Sequence, residues 1–115
     1  MRKYLLLLLV ATAFTSCTTT TTALYGWDNY VDASYKYYKK QTPEAKEELI
    51  KTYEDMINRP KGSRRVVPPG ICAEYGYFLL QNGKKDEGLA MLQKEKELYP
   101  ESTTFMDRLI NQFSK

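Results

Sequence analysis

Apolar positions recur along most of this chain with a helical period, and proline and glycine mark where that period stops. From Tyr30, the residues Ser34, Tyr37 and Tyr38 follow at helical spacing, which predicts a helix over 30–40. Thr42-Pro43 supplies a cap and a proline at the first helical position. Ala45, Leu49, Tyr53, Met56 and Ile57 then lie along one stripe, predicting a second helix over 43–58. Between Asn58 and Gly70 the period is lost, and Pro60, Gly62, Pro68 and Pro69 keep the segment out of a helix. Helical spacing resumes after Val67-Pro68-Pro69-Gly70, turns at Asn82-Gly83, starts again at about Asp86 and stops at Pro100. Ser102 is the expected cap of a last helix with Phe105, Met106, Leu109, Ile110 and Phe113 on one face. The expected fold is all-α, with about five helices arranged as antiparallel hairpins.

The first residues follow a different pattern. Arg2 and Lys3 precede an apolar run from Leu5 to Phe14, and small residues come next, which is the layout of a secretory leader. The run is far shorter than the about 20 apolar residues that a membrane-spanning helix needs. Phe14-Thr15-Ser16-Cys17 resembles the bacterial lipobox. The resemblance implies cleavage before Cys17, a lipid on its sulfur, and, with Thr18 next, delivery to the periplasmic face of the outer membrane. Such an anchor is effectively permanent, since each buried methylene contributes about 0.8 kcal/mol and several acyl chains act together. The expected organisation is therefore a leader over 1–16, a lipidated Cys and Thr-rich tether over 17–29, and a helical domain over 30–115.

Composition narrows the chemistry. Lysine plus arginine number 17 against 14 acidic residues, but Arg2 and Lys3 belong to the leader, so the rest is close to neutral and gives no reason to expect a nucleic-acid partner. Ten tyrosines accompany a complete absence of histidine, which removes the usual general base and the commonest metal ligand. Cys72 would be the only thiol left once Cys17 carries lipid, and its place on the face of Tyr75, Gly76 and Leu79 marks it as a small buried hydrophobe. No cysteine pair, spaced carboxylate set or glycine loop followed by Lys-Ser or Lys-Thr is present. No enzyme activity and no cofactor beyond the covalent lipid are expected. Glu74 and Glu95 are the one pair of acids placed on facing helices, and they are expected to serve as salt-bridge or capping partners of lysine or of Arg108.

The segment from Pro69 to Pro100 resembles one tetratricopeptide unit, a repeat of about 34 residues. Tyr75, Gly76, Gly83, Gly88 and Leu92 fall at its large and small positions, while Glu95 stands where alanine is usual. Ala33 and Ala45 repeat the spacing of Gly76 and Gly88, so the first hairpin reads as a degenerate copy, and the last helix as the cap that a stack requires. More of the chain is similar to a bacterial lipoprotein family catalogued as domain of unknown function 4810. The blocks that carry the similarity are Trp27 with Asn29-Tyr30, Val67 to Gly70, Ala73 to Tyr77, Glu95-Lys96, Tyr99 to Ser102, and Phe105 to Leu109. The resemblance makes Glu95 a family feature and implies an envelope assembly containing other lipoproteins, among them a curli-channel-like one. It supplies no catalytic residue.

Three surfaces are candidates for function. If the first helix of each hairpin lines a concave face, Ala73, Tyr77, Leu80 and Gln81 form a groove with Tyr30 and Tyr37, fit for a peptide held by aromatic anchors; the same residues could simply pack against the neighbouring hairpin. Trp27, Tyr30, Tyr35, Tyr37 and Tyr38 could stack on cell-wall sugars, or fill the core and its rim. Arg59, Lys61, Arg64 and Arg65 form a basic loop with no acid among them, suited to anionic headgroups or an acidic partner, or else a solvated connection.

Overall fold

A computed structural model describes residues 1–4 and 22–115 of the chain. The apolar run of the leader and Cys17 lie outside the described residues. The domain is all-helical: α1 (Tyr30–Lys40), α2 (Pro43–Asn58), α3 (Ile71–Gln81), α4 (Lys85–Leu98) and α5 (Thr103–Ser114), with a single 3-10 turn at Pro100–Ser102 before the last helix. Among the described residues no helix is long and apolar enough to cross a membrane.

The first hairpin forms as its spacing predicts. The Thr42 hydroxyl accepts the Ala45 amide at 3.2 Å and Pro43 occupies the first helical position, so α2 begins with both of its expected start signals. The turn before it is made by Gln41 in the left-handed region, φ 52°, whose amide closes on the Tyr37 carbonyl. Ala33 is fully buried and Ala45 nearly so, and Leu49, Tyr53 and Met56 continue the stripe into the core.

The second hairpin is held closer. A Cβ on Gly76 would lie 2.9 Å from the Gly88 carbonyl oxygen, and one on Gly88 would lie 2.8 Å from that of Gly76, so only glycine permits this approach of α3 and α4. Leu80 fills the space over Gly88, where an added Cβ would come within 2.6 Å of its Cγ. α3 buries Ile71, Cys72, Tyr75, Gly76, Phe78 and Leu79, packs against both α2 and α4, and is the central element of the domain. α5 lies against α4, tied to it by Lys96 and Asp107 at 2.6 Å, and ends the stack.

The domain also begins earlier than helical spacing indicates. The Gly26 amide donates to the Lys61 carbonyl, while the Ser63 and Arg64 amides donate to Ala23 and Leu24. This ladder clasps residues 23–26 to the loop after α2, so the segment read as tether from 17 to 29 is part of the folded unit over its second half. Gly62, at φ +88°, is required at the crossing: a Cβ there would sit 2.5 Å from the Leu24 carbonyl oxygen.

Candidate functional site

A groove of about 800 Å³ runs between α3 and α5. Its α3 wall presents Ala73 and Tyr77, its α5 wall Phe105, Leu109 and Gln112, and its mouth is framed by Pro69 and Gly70. The opening follows from side-chain size. Ala73 leaves a hollow on α3, Met106 is buried at the base, and Phe105 on the far wall stays 60% exposed. Tyr77 meets Phe113 edge-on, with ring centroids 5.9 Å apart. A second recess of about 300 Å³ lies between α1 and α3, lined by Tyr37, Tyr38, Gln41, Phe78 and Gln81. Glu74 and Tyr77 line both recesses and join them.

Two carboxylates, Glu95 buried and Glu74 half-buried, organise this region. Glu95, 2% exposed, reaches from α4 to accept the amides of Gly70 at 2.7 Å and Ala73 at 3.3 Å. It caps α3, whose own N-cap is a glycine without a side chain, and the positive end of the helix supports its charge. Glu74 accepts the Tyr30 hydroxyl at 2.6 Å on one oxygen and the Tyr53 hydroxyl at 2.7 Å on the other. Neither acid pairs with a lysine or arginine among the described residues, Arg108 included: of the two expected roles, Glu95 takes a capping one, on backbone amides, and Glu74 takes neither, holding a pair of phenols instead. The phenols respond: burial first, then the bond to Glu74, pushes Tyr30 and Tyr53 well above the ordinary tyrosine value. Tyr75 is pushed up to about 12 by burial and by its bond to Glu54, 3.1 Å away. Burial raises the Cys72 thiol to about 11, so the side chain is a protonated, fully buried hydrophobe. Among the described residues no cluster of three potential ligands is placed to hold a metal ion.

The groove residues anticipated from sequence divide accordingly. Ala73 and Tyr77 line the larger recess; Tyr37, Tyr77 and Gln81 line the smaller one. Leu80 turns instead into the α3–α4 contact, because the glycine at 88 leaves a hole that its isobutyl group fills. Tyr30 is half-buried against Tyr53, 6.1 Å between centroids, and reaches the groove only through the carboxylate it binds. Sequence spacing missed Phe105, Leu109 and Gln112 as groove residues; their spacing along one side of α5 is a helical stripe, but it is indistinguishable from a stripe that packs.

The aromatic cluster is split as well. Tyr30 and Tyr37 pack on the core, whereas Tyr35 and Tyr38 are about 60% exposed and Trp27, 44% exposed, rests against Tyr30. The basic loop is largely self-compensated. Arg59 pairs with Asp55, Lys61 with Asp28 at 2.6 Å, and Arg64 donates to the Tyr25 hydroxyl at 2.9 Å while lying over its ring. Arg65 sits at φ 49° on the exposed bend of the loop.

The family model described as domain of unknown function (DUF4810) matches residues 24–109. The chain belongs to this family. The matched span begins inside the clasped segment 23–26 and runs into the last helix, so the family unit includes most of the clasp, both hairpins, and Phe105 and Leu109 of the α5 wall. No curated protein and no solved structure matches the chain.

Proposed function

We propose that this protein is a lipoprotein of the outer membrane, anchored through Cys17, that works without catalysis as an assembly module for other envelope proteins through the groove between α3 and α5. The observation that carries the reading is the groove itself: an open, mostly apolar recess of about 800 Å³ with two exposed aromatic side chains, Tyr77 and Phe105, facing it. Such rings are the residue types that dominate binding energy when a partner desolvates them. A tetratricopeptide-like stack uses its first helices in this way, and α3 and α5 are the first helix of a hairpin and the helix after it. The partners in this reading are other lipoproteins, a curli-channel-like one among them.

Tyr77→Ser with Phe105→Ser tests the groove. Co-purification of crosslinked partners from intact envelopes is expected to fall about tenfold or more, the size of effect that losing two aromatic anchors brings; undiminished co-purification overturns the reading. Cys17→Ser tests the anchor separately, by loss of metabolically incorporated fatty acid and release from membranes.

A second reading, binding to cell-wall glycan, rests on the exposed Trp27 and Tyr35. Rings of this kind stack on sugars. Sedimentation of the protein with purified peptidoglycan, abolished by Trp27→Ser with Tyr35→Ser, would support it and displace the groove from first place.

A further inference from the structure

We infer that the segment seated in this groove is a polypeptide of apolar character carrying one lysine or arginine, whose cation rests on Glu74; the inference builds on the groove proposed above. Glu74 lies where the two recesses meet, so a chain long enough to use both must pass it. Its two oxygens each accept one hydrogen bond, from the Tyr30 and Tyr53 hydroxyls. A carboxylate has about four lone-pair positions, so two accepted bonds leave acceptor capacity on a side chain that lines both recesses. A half-buried carboxylate normally has a cation beside it, because neutral donors offset only part of the cost of leaving water. Here no lysine or arginine lines either recess among the described residues, while Glu95, the other acid in the wall, is occupied by the α3 amides. On the side of the larger recess Glu74 shares its walls with Ala73, Tyr77, Phe105, Met106 and Leu109, which selects against a freely hydrated polyamine and for a cation carried among apolar neighbours.

The tyrosine pair has a purpose in this arrangement. Held from both oxygens, the carboxylate cannot turn away from the groove, and it meets an incoming cation already oriented. Arginine suits such a fixed, planar acceptor better than lysine.

The test is selection of random linear peptides displayed on phage against the full protein in detergent micelles. Enriched peptides are expected to carry a basic residue between apolar ones. On the wild-type protein, replacing that residue by norleucine in the synthetic peptide is expected to weaken binding about tenfold or more, the scale of a charge-assisted hydrogen bond. Glu74→Gln should remove the basic preference, and Tyr30→Phe, which keeps the ring and the second donor, should retain it. Peptides enriched without a basic residue, or norleucine variants that bind as well, overturn the role of Glu74; if Tyr77→Ser with Phe105→Ser still removes those peptides, the groove itself stands. Failure to enrich any peptide counts against the groove and the cation together. The norleucine comparison uses unmodified protein, so it decides even if Glu74→Gln loosens the tyrosine cluster.

Discussion

Gly70 opens α3 with no side chain to satisfy the first amides of the helix, and Glu95, on α4 and 25 positions later, satisfies them instead. The cap therefore also staples the two helices at the end of the hairpin remote from their glycine crossing. Glu95→Ala would leave the Gly70 and Ala73 amides without this acceptor. We expect a loss of about 2 kcal/mol in urea unfolding, with Glu95→Gln costing less because its amide oxygen can still accept one of them. An unchanged unfolding midpoint for the alanine variant would show that water replaces the carboxylate at no cost. Nothing in local spacing announces this role: alanine is the usual residue at that point of such a repeat, and the reason for glutamate appears only when the turn at Gly70 is brought beside it. The Glu74 phenols are equally remote in sequence, 44 and 21 positions away, which is why pattern alone suggested a lysine or arginine partner.

The helices themselves were readable from spacing because each carries a period, a start signal and a stop. Thr42-Pro43, Asn82-Gly83 and Pro100 act where they stand, and the small pairs Ala33 with Ala45 and Gly76 with Gly88 mark the two tight hairpins. Ser102 departs from its expected role. Its hydroxyl turns back to donate to the Tyr99 carbonyl at 2.7 Å, because Pro100–Ser102 forms a 3-10 turn and the residue has helical dihedrals, which point a side chain away from the following amides. The clasp of residues 23–26 on the loop was hidden for a different reason, since it is made by backbone groups between segments that have no period. Gly62→Ala tests it at the level of the element. The methyl group would collide with Leu24 and strain the left-handed backbone, so the N-terminal segment should detach, and protease cleavage around Leu24 should accelerate severalfold while α3 and α4 stay protected from hydrogen exchange. Unaltered cleavage would mean that the segment is held by its side chains alone.

Across the whole molecule, tyrosine is used as a structural acid kept neutral. Tyr30, Tyr53, Tyr75 and Tyr99 all have their phenols raised, chiefly by burial and then by hydrogen bonds. Each is protonated in both folded and unfolded chains below about pH 10, so their contribution is fully present there. Above that value the unfolded chain releases protons that the folded one retains, so stability falls as pH rises, through about 12 for Tyr75 and beyond it for the others. Alkaline unfolding is expected to coincide with a cooperative rise in phenolate absorbance, and Tyr53→Phe should move that transition upward in pH. A gradual rise with no link to unfolding would contradict the network. Two of these tyrosines, Tyr30 and Tyr53, also fix Glu74 in the wall, so the core chemistry and the binding surface share residues. The most direct measurement of that surface is photocrosslinking in intact envelopes from a photoreactive residue placed at Phe105, compared with one at Glu47, which is exposed on α2 and lines neither recess. A defined envelope protein captured from position 105 and not from 47, and lost with Tyr77→Ser, is the predicted result; equal capture from both positions, or none from 105, would contradict a docking groove between α3 and α5.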